Sequence, residues 1–321
     1  MSRPSAVPPP VTAVLDASSR WLPASLGQVE ALLREQSRDC GERLGADTEA
    51  TLSAGGKRLR PMLVLLCAGP DGGERAVRAA AAIELVHMAT LVHDDVLDDA
   101  PLRRGRPTVA ATSGRGRAVA VGDLLFSRAF ATLAEHGDSR AVSLLAAASV
   151  ALARGELLQR QDAYDAGIAE ERYLQRCRLK TATLFECACR MGEDAEEMGR
   201  FGSQIGLAFQ LLDDVLDVSG PPERTGKARG TDLLDGTVTL PLILAAEADP
   251  SIAAVDLRAL DATSAEELCD RIAASRALDQ VRARALELVA TAKRDLLRLS
   301  VDGERRKLLE LVADGVVQRY S

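Results

Sequence analysis

Aromatic residues are scarce, with five Phe, three Tyr and one Trp in 321 residues, so aliphatic side chains have to build any core. Positive charge is not in excess. Forty Lys and Arg face 47 Asp and Glu, for a formal net charge of -7. That balance argues against a nucleic-acid partner, because neutralising a phosphate backbone takes a basic surface. No uninterrupted apolar run reaches the roughly 20 residues that a membrane-crossing helix needs. The best stretch, Ala141 to Ala153, is shorter and holds two serines. The six cysteines (Cys40, Cys67, Cys177, Cys187, Cys189 and Cys269) show neither metal-ligand nor disulfide-framework spacing. Cys187 and Cys189 on one helix would point about 200° apart. All six read as reduced thiols of a cytosolic protein. Strictly alternating β-branched runs are missing as well, which removes the usual signal for strands.

What remains is a chain 47% hydrophobic and 27% charged, globular in composition. Residues 1–22, with Pro4, Pro8, Pro9 and Pro10, read as a flexible tail and not as a signal peptide. From residue 23 to 321 Ala and Leu recur at helical spacing. The periodicity predicts helices near 25–46, 58–68, 74–99, 116–135, 139–164, 169–191, 194–218, 237–248 and, with breaks, 264–319. Breaks fall at Gly55-Gly56, Gly69-Pro70, Pro101, Pro107, Gly220-Pro221-Pro222 and Pro250. The expected fold is all-α, a single large helical bundle.

Two acidic clusters interrupt these apolar helices. His87, Leu91, Asp94 and Asp98 follow a 4-3-4 spacing, and Gly206, Gln210, Asp213 and Asp217 repeat it, so each set makes one stripe on its helix. Both sit where a helix must end, before Pro101 and before Gly220-Pro221-Pro222. A carboxylate there faces the negative end of the macrodipole, at a cost of about 0.3–1 kcal/mol each. Acids collected where they are least stable ask for a cation. Oxygen ligands without Cys or His suit a hard ion, Mg²⁺ or Mn²⁺, whose shell is completed by water and phosphate oxygens. The two stripes therefore read as walls of a metal–diphosphate site.

A diphosphate also needs protein cations. Only five lysines exist, Lys57, Lys180, Lys227, Lys293 and Lys307. Lys57 lies in Gly55-Gly56-Lys57-Arg58-Leu59-Arg60-Pro61, with Arg60 on its helical face. The run is not a Walker loop, because no Ser or Thr follows the lysine. Arg103-Arg104-Gly105 follows the first acidic cluster, and guanidinium forks suit phosphate. Lys180 precedes Thr181 within a helix, and Lys227 follows Gly226. His87 lies one to two turns before Asp94, where phosphate donor and core histidine are equal readings. His93 is off the stripe and reads as structural.

In this order, GGKRLRP at 55–61, HDDVLDDAPLRRGRPT at 93–108, KT at 180–181, FQLLDDVLD at 209–217 and GK at 226–227, the chain resembles the trans-polyprenyl diphosphate synthases. The resemblance implies an isoprenoid synthase fold around an apolar cavity, a homodimer, and Mg²⁺-dependent head-to-tail condensation of an allylic diphosphate with isopentenyl diphosphate. Carried over, it assigns Asp94, Asp98, Asp213 and Asp217 to the metal. Arg103, Lys180, Thr181, Gln210 and Lys227 go to the allylic diphosphate, with Lys180, Thr181 and Gln210 nearest the reacting carbon. Lys57, Arg60, His87 and Arg104 go to isopentenyl diphosphate. Ala89 and Thr90, small residues about one turn before Asp94, imply products longer than geranylgeranyl diphosphate. One departure stands out, since Thr237 occupies a position where the family commonly has lysine. Alternatives are a short-chain (farnesyl or geranylgeranyl) synthase, a terpene cyclase, which the second aspartate cluster disfavours, and a non-catalytic partner subunit, which only Thr237 favours.

Overall fold

The computed structural model describes residues 9–38, 41–53, 58–103, 105–220 and 229–318. Lys57, Arg104 and Lys227 lie outside the described residues, as do Cys40 and the first eight positions. The described chain is helical nearly throughout, and its only strands are β1 (Leu102–Arg103) and β2 (Arg106–Pro107). These pair antiparallel, Leu102 with Pro107 and Arg103 with Arg106.

By compactness the chain divides into two units. The first comprises Met1–Ser149, Cys187–Gly199 and Leu299–Val312, the second Val150–Glu186, Arg200–Arg298 and Ala313–Ser321. The helices in chain order are α1 (Pro9–Ala17), α2 (Leu22–Arg38), α3 (Gly41–Ser53), α4 (Leu59–Ala68), α5 (Gly73–Leu97), α6 (Val109–Ser113), α7 (Arg115–Glu135), α8 (Ser139–Gln161), α9 (Glu170–Cys177), α10 (Thr183–Gly192) and α11 (Glu196–Ser219). They continue as α12 (Thr231–Leu234), α13 (Leu240–Ala248), α14 (Pro250–Ala253), α15 (Ala262–Ala274), α16 (Ala277–Leu296) and α17 (Gly303–Gln318).

Helix α1 corrects one expectation, because it occupies part of the stretch read as a flexible tail. Proline suits the first turn of a helix, where its missing N–H is not needed, and Val14 and Leu22 are 1% and 0% exposed. The helix expected over 25–46 also stops earlier, α2 ending at Arg38.

In the first unit α5 is the central element, packed against α2, α4 and α7. Ala79 to Ala82, Ile83, Leu85 and Val86 are all 0% exposed and Glu84 is 3% exposed, so the helix is buried on every face over this stretch. Small residues permit its close approach to α7. A Cβ on Gly122 would lie 2.1 Å from His93 Nε2, and the His93 ring stacks on Phe126 at 5.9 Å. His93 is thus a packing residue, as its place off the stripe suggested.

The second unit is organised around α9, the turn after it, α11, α13 and α16. Pro241 sits in the first turn of α13, whose residues from Leu240 to Ala245 are buried. Helix α15 starts with a reciprocal cap in which Asp261 accepts from Ser264 N and Ser264 Oγ accepts from Asp261 N.

Two helical spans are long and apolar enough, by length and composition, to cross a membrane, Pro70–Leu97 and Ser139–Gln161. Neither is an uninterrupted apolar run; both qualify on mean hydropathy, 1.2 and 1.6. The first is 72% buried over its apolar window and is the core helix of its unit; the second is only 28% buried.

Candidate active site

The first acidic cluster closes α5. Asp98 caps the helix and donates its backbone N–H to Asp94 O at 2.8 Å, while Asp99 takes a left-handed φ of 49°. Asp94 is half-buried and Asp98 exposed, on the shared face that the 4-3-4 spacing predicts. Asp95 points the other way and is 5% exposed. Its Oδ1 accepts from Arg103 Nε at 2.6 Å, a contact made because the β1–β2 hairpin folds back under the helix end. Arg103 therefore reaches the cluster through the buried aspartate. Exposed Asp99 is paired with Arg115.

The second cluster closes α11 in the second unit. Asp213 is exposed, Asp217 half-buried and Asp214 buried at 2% exposure. Asp217 Oδ2 accepts from the backbone N–H of Asp232 at 3.3 Å. Asp214 is held by two side chains. The Tyr173 hydroxyl donates to Oδ2, and Gln210 Nε2 donates to Oδ1 at 2.8 Å. Burial first, then the Asp232 and Asp213 carboxylates, push the Asp214 carboxyl up to about 8 against those hydrogen bonds. The same burial, with Asp214 alongside, pushes the Cys177 thiol up to about 12.

Lys180 and Thr181 lie on a π-helical turn, Arg178–Ala182, between α9 and α10. Thr183 N–H bonds to Arg178 O across it, five residues back. Periodicity had suggested a plain helix there. Glycines let two neighbours press on this turn. A Cβ on Gly155 of α8 would lie 2.5 Å from Lys180 N, and one on Gly206 of α11 would lie 2.8 Å from Ala182 Cα. Gly206 thus completes its stripe for packing and not for chemistry. Thr181 Oγ1 donates to Gln210 Oε1 at 2.7 Å, which joins two expected site residues. Lys180 is ion-paired with Glu156 and donates to Gln159 Oε1 at 3.2 Å. Burial works against the Glu156 carboxylate, but Lys180 and Arg160 hold it below its ordinary range. Gln159 Nε2 in turn donates to Thr237 Oγ1 at 3.4 Å, so the unusual threonine is linked to Lys180 through one amide.

Of the residues expected to hold the second substrate, Arg60 lies in the first turn of α4 and His87 on α5, both half-buried. Burial pushes the Arg60 guanidinium down to about 10, against the pull of Glu84. It remains charged at neutral pH. Arg58, between Lys57 and Arg60, was passed over in the sequence. It takes a left-handed φ of 46° and bonds Glu30 at 2.5 Å, Glu84 at 2.7 Å and Leu52 O at 3.0 Å, which anchors the start of α4. Of the chain-length pair, Ala89 is 0% exposed and Thr90 is half-buried, its hydroxyl donating to His87 O at 2.8 Å. Tyr173, Glu156 and Gln159 were also missed, since none belongs to a motif. Their signal is tertiary.

Each acidic pair by itself fits a hard divalent ion, with two carboxylates at i, i+4 on one helix end. Among the described residues no three His, Cys, Asp or Glu side chains gather closely enough to hold an ion by themselves. An ion there completes its shell with water or phosphate oxygens, as Mg²⁺ commonly does.

Comparison with known proteins agrees with this chemistry. The family described as polyprenyl synthetase matches residues 42–274. Heptaprenyl diphosphate synthase component 2 of Geobacillus stearothermophilus is 42% identical over 241 residues, which is 72% of this chain and 75% of the relative. The all-trans-nonaprenyl-diphosphate synthase (geranyl-diphosphate specific) of Rhodobacter capsulatus is 37% identical over 274 residues, 81% of this chain and 84% of the relative. A polyprenyl synthase from Caulobacter crescentus CB15, solved in complex with calcium and isoprenyl diphosphate, has a TM-score of 0.88 at 33% identity over 99% of this chain and 100% of that one. The all-α isoprenoid synthase fold that the motifs implied is borne out.

Proposed function

Because the chain belongs to the polyprenyl synthetase family, we propose that it lengthens an allylic diphosphate by head-to-tail condensation with isopentenyl diphosphate, to all-trans products beyond twenty carbons. It is a prenyltransferase of the polyprenyl diphosphate synthase kind. The observation that carries the reading is the Thr181–Gln210 hydrogen bond of 2.7 Å, with Lys180 beside it and Asp213 one turn further along α11. In this reading Thr181 and Gln210 supply the cation-stabilising oxygens, Lys180 the phosphate-binding ammonium and Asp213 the metal-binding carboxylate, and all four belong to one unit.

Asp94 and Asp98 on α5, and Asp213 with Asp217 on α11, hold the divalent ion in this reading, and Mg²⁺ is the ion their all-oxygen chemistry suits. When bound, such an ion neutralises the leaving diphosphate and takes up its developing charge. Arg103, Lys180 and Lys227 bind the allylic diphosphate. Lys57, Arg60, His87 and Arg104 bind isopentenyl diphosphate and hold its double bond near the departing carbon. Thr181 and Gln210 present oxygens to the allylic cation. Apolar walls keep water away from it. The proton lost after addition goes to the released diphosphate, as the resemblance to the family implies. Thr90, half-buried where Ala89 is packed away, is the residue through which α5 sets product length.

We take the active species to be a homodimer. The outward row of α8 is apolar, with Ala146, Val150, Ala153 and Leu157 exposed, and Leu157 reaches 63% exposure. A second reading, in which a different chain is required, is favoured by one observation: the Geobacillus relative is named as a component. The free, buried cysteines Cys67, Cys177, Cys187, Cys189 and Cys269 suit a cytosolic setting. Purified protein incubated with isopentenyl diphosphate, Mg²⁺ and each allylic primer tests all of this. Dephosphorylated products longer than geranylgeraniol are expected, shortened by Thr90→Tyr. Products ending at farnesol or geranylgeraniol overturn the length assignment, and inactivity of the purified chain alone favours the two-component reading.

A further inference from the structure

Arg176 of α9 is 3% exposed, a guanidinium taken almost wholly out of water. Among the described residues its partners are neutral groups. Nη2 donates to the Val238 carbonyl, the centre of the Tyr173 ring lies 5.2 Å from the guanidinium carbon, and the Cys177 thiol is beside it. Nη1 is buried without a hydrogen-bond partner. Arg58 in the first unit, itself well buried, shows the contrast, because it is ion-paired with both Glu30 and Glu84. A ring face and a carbonyl offset part of the desolvation of Arg176 but bring no negative charge. A buried cation left in that state is costly unless an anion comes to meet it.

The surroundings say which anion. Val238 follows Thr237, the residue that stands where the family commonly has lysine. Thr237 Oγ1 accepts from Gln159 Nε2 at 3.4 Å, and Gln159 Oε1 accepts from Lys180 at 3.2 Å. Arg176 and Lys180, four residues apart in sequence, thus converge on the segment Thr237–Val238, one through a backbone carbonyl and the other through an amide. Their charges are not equivalent. Lys180 is ion-paired with Glu156, so that pair adds no net positive charge. Arg176 is the cation here that no carboxylate of the described residues pairs with, and it shares a unit with Lys180, Asp213 and Asp217.

We propose that Arg176 is a binding residue for the allylic diphosphate, its buried guanidinium supplying beside Thr237 the positive charge that Thr237 does not carry. This rests on the reading of Lys180 as a ligand of that diphosphate. The bond to Val238 fixes one arm of the fork, and Nη1 is the donor left for a phosphate oxygen. Because the charge is held in place before the ligand arrives, no flexible side chain has to be ordered on binding.

Moving the charge tests this. Arg176→Met keeps much of the side chain's bulk and removes the charge. The probe is farnesyl thiodiphosphate, an allylic analogue that resists ionisation, titrated with Mg²⁺ by calorimetry. In Arg176→Met its affinity should fall about 10- to 100-fold, while that for isopentenyl diphosphate stays at the wild-type value. In Arg176→Met/Thr237→Lys the cation returns from the neighbouring position, and affinity for the analogue should recover to within roughly fivefold of wild type. A residue that merely fastens Val238 is not rescued by a lysine at 237. Wild-type affinity in Arg176→Met, equal losses for both diphosphates, or a double variant no tighter than Arg176→Met overturns the proposal. Lys180→Met separates it from the reading beneath. If that variant binds the analogue like wild type, the placement of the allylic diphosphate fails and the proposal with it; if it weakens binding while Arg176→Met does not, only the role of Arg176 fails. Should Arg176→Met not fold, Thr237→Lys alone decides. A second cation beside Arg176 should lower the melting temperature of the ligand-free protein, and the analogue with Mg²⁺ should raise it by more than in wild type. Absence of either shift overturns the proposal.

Discussion

The two aspartate clusters are near copies in sequence, His93-Asp-Asp-Val-Leu-Asp98 and Leu212-Asp-Asp-Val-Leu-Asp217, yet they treat their buried member oppositely. In the first unit Asp95 is ion-paired at 2.6 Å with Arg103, which returns to it on a two-stranded hairpin. In the second unit Asp214 has Tyr173 and Gln210 in place of a cation, and burial pushes its carboxyl up to about 8. An identical spacing thus serves two electrostatic solutions, one charged and one hydrogen-bonded. The outward residues, Asp94 with Asp98 and Asp213 with Asp217, are what the repeat preserves. The inward one is left to whatever each unit packs beneath it.

If the outward pairs are equivalent ligands, Asp94→Ala and Asp213→Ala should each lower turnover by about 10³-fold or more. Each also relieves like-charge crowding, so melting without Mg²⁺ should hold or rise slightly. Comparing steady-state rates with circular-dichroism melts of both variants checks this. A large loss in one variant only would end the equivalence.

The inward pair should separate by stability. Asp95→Asn leaves Arg103 without its carboxylate and should cost about 1–3 kcal/mol in denaturant unfolding near neutral pH. Asp214 behaves differently. Its folded carboxyl titrates at about 8 against a reference of 3.8, so the folded state binds the extra proton between those values. Its contribution to stability is fully present below about pH 4 and is lost as pH rises toward 8. The metal-free Asp214→Asn protein should therefore gain on wild type across that window. Parallel melting curves for the two proteins would show that the carboxyl is not raised.

The smallest effect belongs to Asp99. Its ion pair with Arg115 joins side chains 79% and 61% exposed, and Arg115→Ala should change unfolding free energy by no more than about 0.5 kcal/mol. A loss as large as that of Asp95→Asn would mean that exposure does not explain the contrast between buried and surface pairs in this cluster.

Sequence by itself determined the helical class, because apolar residues recur at a 3.6-residue period over most of the chain and strand alternation is absent. It determined the two carboxylate stripes too, since i, i+4 and i+7 share a face in any helix. Expected and observed bounds agree closely where long periodic runs end at Gly or Pro, as at 58–68 against Leu59–Ala68 and 74–99 against Gly73–Leu97. Local rules could not see what a neighbouring element supplies. The helix Pro9–Ala17 forms where prolines suggested a tail, and it buries Val14. The π turn under Lys180 and Thr181 accompanies close approach by Gly155 and Gly206, residues about 25 positions away on either side. The buried member of each Asp-Asp pair is chosen by Arg103 in one unit and by Tyr173 and Gln210 in the other. Which face of a helix bears ligands is a matter of spacing along one chain segment. How a buried charge is satisfied depends on donors brought from elsewhere, and only the tertiary fold decides that.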